Sequence, residues 1–302
     1  MNARHAPPGA GRRTTALAVV VGGLIALVAG ASPPLAGADE PAVRLEYRFR
    51  EGEAVAMSVS HRARTETTIA GTTQSTDTAT DSTKRWRIVS VDDRGQATIE
   101  HSVDDVTMTS RTSDRGEVRW SSRGDAPPPP GYEGVRGSLG RPLSRVVIDR
   151  AGRVLSRKDI LPTPESSTGD LMVVPLPDDP VSPGDEWTVP QEVVVEVPGG
   201  PRKAVRTRLR YRLEGVRDDI ATIRVDTTVL TPVDDPRVEA RLLERIWEGT
   251  IDFDIAAGRV TNRSTGMDRR VVGFSGGESS LRYRSSLEER VLPEDPAGST
   301  DP

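Results

Sequence analysis

Apolar and polar residues alternate along most of the chain beyond residue 40. Val43, Leu45, Tyr47 and Phe49 share one phase, and Arg44, Glu46, Arg48 and Arg50 share the other. A period of two marks a half-buried strand, because successive side chains point to opposite faces. After the turn signal Glu51-Gly52-Glu53 the alternation resumes with Val55, Met57 and Val59, and His61 and Ala63 keep the phase, so a hairpin is predicted.

Further strand pairs follow. "RWRIVSV" faces "ATIEHSV" across Asp92-Asp93-Arg94-Gly95, and "SRVVID" faces "RVLSRK" across Arg150-Ala151-Gly152. "EVVVEV" faces "KAVRTRLRYRL" across Pro198-Gly199-Gly200-Pro201, and "IDFDI" faces "RVTNRS" across Ala256-Ala257-Gly258. Glycine at such points supplies the positive φ of tight turns. The Thr/Ser-rich run 69–83 fits either a solvated strand pair or a mobile loop, since Thr favours extended backbone but the run has no apolar face. The segment 236–247 spaces Val238, Leu242 and Ile246 by four, yet Val238, Ala240, Leu242 and Ile246 also share a strand phase. It is read as strand because "EGTIDFDI" follows without a stop signal.

Two segments repeat. "RWRIVSVDDRGQATIEHSVDDV" (85–106) resembles "RYRLEGVRDDIATIRVDTTVL" (210–230), and "VVIDRAGRVLSRKD" echoes "DFDIAAGRVTNRST". The predicted fold is therefore all-β, with antiparallel strands in two similar halves, 39–175 and 176–292, forming a curved sheet or a sandwich. A signal helix at 1–38 precedes them and a disordered tail at 293–302 follows. Gly/Pro-rich loops separate the elements, including 121–142 with Pro127–Pro130, read as a surface connector.

The N-terminal 38 residues read as an export leader. They carry Arg4, Arg12 and Arg13 with no acid, then the 16-residue apolar run Ala16–Ala31, then Ala36-Gly37-Ala38 as an A-x-A-like site. Cleavage after Ala38 would start the mature chain at Asp39, and the run is short for a bilayer span of about 20 residues. Membrane contact is then limited to this segment before cleavage. The expected location is exported, periplasmic or extracellular.

Composition changes the picture at three points. The chain has no cysteine, which excludes a disulfide framework and a lipidated cysteine anchor, so the fold must rest on its core. A mature chain of 302 − 38 = 264 residues is long enough for one. Removing the leader's +3 from the formal −4 leaves −7, which gives no reason to expect a nucleic-acid partner. Arginine outnumbers lysine 38 to 3, the mark of a GC-rich bacterial genome.

"LEYRFREGE" (45–53) and "PLPDDPVSPGDEW" (175–187) resemble an uncharacterised family of exported, β-rich bacterial proteins frequent in planctomycetes. The resemblance implies the two-part layout and transfers no catalytic residue. Trp187, after the Pro180, Pro183 and Gly184-Asp185 corner, reads as a structural anchor, with a ligand-stacking role as the alternative.

Candidate chemistry is sparse. Gly273-Phe274-Ser275-Gly276-Gly277 spells G-x-S-x-G, but the following "ESSLRYRSSLEERV" has a strand pattern and no histidine follows Ser275, so a nucleophile elbow is excluded and a glycine-rich hairpin turn is expected. His61 and His101 have no partner at metal-ligand spacing and are expected half-buried or exposed. Paired acids at 92–93, 104–105, 178–179, 218–219 and 234–235 suit turns better than calcium or a glycosidase pair. Asn262-Arg263-Ser264 matches a glycosylation sequon by chance. No catalytic, cofactor or metal residue is nominated. The expected function is a non-catalytic binding or scaffold protein of the cell envelope, whose partner is an envelope protein or an apolar small molecule. The alternatives are a carrier of an apolar ligand and a carboxylate-dependent hydrolase.

Overall fold

The computed structural model describes residues 41–129, 132–161, 173–197, 200 and 202–293. The leader, its cleavage site at Ala36, Ala38 and Asp39, and the tail from 294 lie outside them. Twelve strands form among the described residues: β1 (Ala54–Ile69), β2 (Thr72–Val91), β3 (Ala97–Thr112), β4 (Gly116–Ser121), β5 (Ser144–Ile148), β6 (Val154–Asp159), β7 (Glu186–Glu196), β8 (Arg202–Arg217), β9 (Ile220–Val229), β10 (Glu248–Asp254), β11 (Arg259–Val272) and β12 (Ser280–Val291). Two short helices, α1 (Glu133–Ser138) and α2 (Pro236–Leu242), complete the set.

All twelve strands belong to one sheet in the order β6-β5-β3-β2-β1-β12-β11-β10-β9-β8-β7, with β4 pairing β3 off this path. The expected choice between curved sheet and sandwich is thus resolved as one open, curved antiparallel sheet. Its curvature follows from the core. Ile88, Ile99, Val146 and Ile148 from one wing pack in the same buried cluster as Leu209, Tyr211, Leu213, Ile223 and Phe253 from the other. One face is therefore wrapped inward, and burying two aromatic rings and several aliphatic chains there stabilises by roughly 1.5–3 kcal/mol each.

The two halves match strand for strand. Ile88 pairs Ile99 and Ser90 pairs Thr98, leaving Val89 as the bulged residue; Leu213 pairs Ile223 and Gly215 pairs Thr222, leaving Glu214. Ile148 pairs Val154 with Leu155 bulged, as Phe253 pairs Val260 with Thr261 bulged. The entry turns match as well: Gly52 N–H donates to Ile88 O and Ile88 N–H to Glu53 O, while Gly184 N–H donates to Leu213 O and Leu213 N–H to Asp185 O. A bulge adds one residue and reverses the phase beyond it, so its recurrence at matched points is not a generic feature of hairpins. The repeat extends over β1–β3, β5, β6 and β7–β11. β4 and β12 have no counterpart, and β12 fills the seam between β1 and β11.

Three expectations are corrected or refined. Residues 43–49 do not form a hairpin with β1, because β2 and β12 already occupy both edges of β1. They form an extended strap instead, with Val43 bridged to Val181, Tyr47 N–H donating to Arg150 O and Arg48 N–H to Gly258 O, and Leu45 and Tyr47 buried. The segment from 236 is helical, not strand. The Asp235 carboxylate caps Arg237 N–H at 2.9 Å, Pro236 opens the first turn, and Val238 and Leu242 are buried four apart. The run 69–83 is strand: β1 and β2 continue to a two-residue turn at Ala70 and Gly71, both at positive φ.

Candidate binding surfaces

Cross-strand partners share a face of the sheet. On the outer face, Asp268, Arg284, Arg64, Asp77, Arg111 and Glu117 form one continuous row across β11, β12, β1, β2, β3 and β4. The adjacent row carries Ser286, Arg62, Ala79 and Thr109, whose mostly short side chains leave an open trough of about 590 Å³. Most of its charges are already engaged with neighbouring charges. Arg62 grips Asp81 through both oxygens at 2.8 and 2.9 Å, Arg64 reaches Glu66 at 2.9 Å and Asp77 at 3.3 Å, and Asp268 takes Arg282 at 2.7 Å and Arg284 at 3.2 Å. The Arg282 hydrogen bond holds the Asp268 carboxyl below its ordinary range. No aromatic ring lines the trough.

The inner face contains a cluster that the sequence reading missed. Glu289 on β12, 1% exposed, lies between Lys84 of β2, whose Nζ is 3.7 Å from Oε1, and Arg263 of β11, which pairs with Oε2. These three charges, on a face where His101 and Thr265 are buried as well, join the first half to the second through the seam strand. The signal was available in the alternation, since Leu287, Glu289 and Val291 share one phase. On the outer face Glu100 has a similar arrangement, gripped by Arg87 at 2.6 Å and Arg145 at 2.5 Å, and these two hydrogen bonds lower its pKa.

Beneath the strap a small, partly open pocket of about 30 Å³ is lined by Tyr47, Phe49, Met57 and Trp86 together with Arg48, Glu53 and Arg259.

The residues singled out in the sequence take structural positions. Ser275 is exposed in the β11–β12 turn, where its N–H donates to Ser279 Oγ at 2.8 Å, and Gly273 and Gly276 have positive φ, as a hairpin turn requires. His61 is half-buried on β1, whereas His101 is 3% exposed opposite Trp86 on β3, more buried than expected because it falls on the core phase. Asp92 and Asp235 cap turns, Asp104 and Asp105 sit at a bulge and pair with Arg85 and Arg123, and Asp218 and Asp219 form a left-handed turn. The five acidic pairs are dispersed, and no cluster of three or more His, Asp or Glu with metal-binding geometry occurs among the described residues. Trp187 stacks on Tyr211 at 5.5 Å and donates to Pro175 O at 2.8 Å, the anchoring role. Asn262 lies within β11, half-buried and bonded to Asp252.

No protein-family model and no curated protein sequence matches the chain. Among solved structures it is similar to lipovitellin, in a study of lipid–protein interactions, at 12% identity over 84% of this chain and 26% of that chain with a TM-score of 0.49. It is also similar to DynF from the dynemicin biosynthesis pathway of Micromonospora chersina, at 7% identity over 87% of this chain and 90% of that one with a TM-score of 0.22. The chain thus spans about a quarter of the lipovitellin chain. Neither likeness indicates what this chain binds.

Proposed function

We propose that this chain is a non-catalytic binding or scaffold protein of the bacterial cell envelope, a β platform that offers its outer face to a partner. The observation that carries the reading is the open trough of about 590 Å³, most of whose charges are paired with one another or with neighbouring charges. Such a surface recognises polar groups by exchanging ion-pair partners. Every carboxylate with a resolved shift, Glu100, Asp235 and Asp268, is moved downward by arginine, the opposite of what a general acid needs. Export rests on the leader pattern at 1–38. A carrier of an apolar ligand at the pocket beneath the strap, about 30 Å³, would have to part the strap from the sheet to admit a lipid-sized molecule.

Photo-crosslinking in intact cells tests this. A benzophenone side chain at Ala79, in the trough, is expected to trap a discrete envelope partner that a probe at Ala257, in a turn, does not. Equal or absent trapping would remove the trough as the binding face. Native mass spectrometry of the chain from the same fraction addresses the carrier: a lipid-sized adduct would replace the platform reading with it.

A further inference from the structure

The repeat assigns to one exposed edge a role that the other half already performs internally. Matched through β5 and β10, Val154 corresponds to Val260 and Arg157 to Arg263, since Ile148 and Val146 pair the former two as Phe253 and Ile251 pair the latter two. β11 pairs β12 from Asn262 onward, and Val260, just ahead of that ladder, is 4% exposed. Among the described residues β6 ends the sheet, and Val154 is 50% exposed, with Leu155 at 49% beside it. In the covered half, the arginine at this position meets the carboxylate of the added strand, Glu289. In the open half, Arg157 pairs with Asp159 of its own strand, at 3.0 Å.

We propose that the β6 edge is a strand-acceptor site: an extended segment of a partner protein, with a carboxylate flanked by apolar residues, adds antiparallel to β6 and places that carboxylate on Arg157, as β12 does on β11. Edge strands offer unpaired N–H and C=O groups in register for such addition. The chemistry of β6 selects the occupant. Its centre is basic, with Arg157 and Lys158, so it attracts an acidic segment, and its exposed Val154 and Leu155 require apolar contact. The opposite edge is closed to the same segment. β7 carries Pro190, which has no N–H, and Glu186, Glu192 and Glu196, which repel an acid. A second copy of β6 is a poor occupant, because an antiparallel pairing that sets Arg157 against Asp159 also sets Lys158 against Lys158.

This inference rests on the binding reading and adds a second surface to it, so the two are tested by different probes. The closing probe is a labelled synthetic peptide with the β12 sequence 280–291, titrated by fluorescence anisotropy into the full described chain. Saturable binding is expected, weakened at least tenfold by Arg157→Glu and recovered when the peptide's glutamate matching Glu289 is changed to lysine. Hydrogen exchange should show new protection at 154–159. Protection at 259–265 instead would mean that the peptide displaces β12, and would overturn the assignment. So would binding indifferent to Arg157→Glu, or no binding at millimolar peptide. Sedimentation of the chain alone is expected to show a monomer, and a dimer abolished by Arg157→Glu would make a second copy the occupant and refute the partner segment. Failure of all these with Ala79 crosslinking intact would leave the trough reading standing.

Discussion

In the second half of the molecule β11 lies between two strands, while in the first half its counterpart β6 has a neighbour on one side only. The strands are matched in register down to the bulged residue, so backbone geometry does not separate them. The difference is β12, and what β12 brings is a buried carboxylate. Where the strand is present, an arginine is drawn into the core. Where it is absent, the matched arginine stays at the rim with a local partner. A duplicated unit can therefore reuse one strand in two ways, as an internal seam and as an open edge.

The strongest way to break the comparison is to remove the seam carboxylate. Glu289→Ala removes the carboxylate that lies between the buried Lys84 and Arg263, and the loss should be about 3–5 kcal/mol in urea unfolding. Arg157→Ala at the matched rim position should cost less than about 1 kcal/mol. Converting Lys84, Arg263 and Glu289 together to apolar residues of similar size should recover most of the loss, because desolvation of the ions then disappears as well. A Glu289→Ala variant as stable as the parent would show that the cluster does not hold the seam.

The next effect sharpens the equivalence of the two β-turns. Gly152 and Gly258 occupy matched turns at φ of 75° and 64°. A Cβ at Gly152 would lie 2.4 Å from Val174 O and 2.6 Å from Tyr47, and one at Gly258 would lie 2.7 Å from Arg48 N. Both alanine variants should lose about 2 kcal/mol or more, since strain at positive φ adds to a clash with fixed backbone. Gly52, at φ 80° with open space around it, should lose only about 1 kcal/mol. Equal losses at all three would mean that the strap does not press on the turns.

Tyr47 and Tyr211 place the strap's contribution on the pH axis. Burial raises both phenols far above the usual tyrosine range, so they stay neutral in the folded chain while unfolded tyrosines ionise near pH ~10. A folded pKa above the unfolded one means that stability is intact below that pH and falls as pH rises past it, by about 1.4 kcal/mol per pH unit for each tyrosine. Tyr47→Phe should remove its share of the slope between pH ~10 and ~11 and leave those of Tyr211 and of Tyr283, whose phenol burial raises as well. It should also lower stability at neutral pH, because the Val174 N–H loses its acceptor at 2.8 Å. An unchanged alkaline slope would place the ionising groups elsewhere.

Much of this architecture is legible in alternation and turn chemistry, because both are local. The pairs around Gly95, Gly152 and Gly258 read correctly, and the repeat is visible in "RWRIV" and "RYRLE". What escaped was non-local. The phase of residues 43–49 is that of a strand, but whether a strand finds a free edge depends on β12, more than two hundred residues away. For 236–247 two periods competed, and the Asp235-Pro236 cap decided in favour of the helix. The alternation of Leu287, Glu289 and Val291 puts Glu289 on the apolar phase, but its partners on β2 and β11 are set by pairing across the seam.

The smallest expected effect concerns the one motif that suggests an enzyme. Ser275 contributes its backbone N–H to the β11–β12 turn, whereas the neighbouring Ser279, 4% exposed, accepts that N–H and donates its own hydroxyl to Gly276 O at 2.7 Å. Removing the Ser279 hydroxyl takes the acceptor from the Ser275 N–H, while Gly276 O keeps the Ser279 N–H at 3.0 Å, so Ser279→Ala should cost about 0.5–1.5 kcal/mol. Ser275→Ala removes only an exposed hydroxyl and should change stability by less than about 0.5 kcal/mol. A fluorophosphonate probe should label neither serine, because the turn leads into a strand with no base beside Ser275. Labelling that disappears in Ser275→Ala would make the G-x-S-x-G match chemically real, and with it the hydrolase reading that the hairpin geometry argues against.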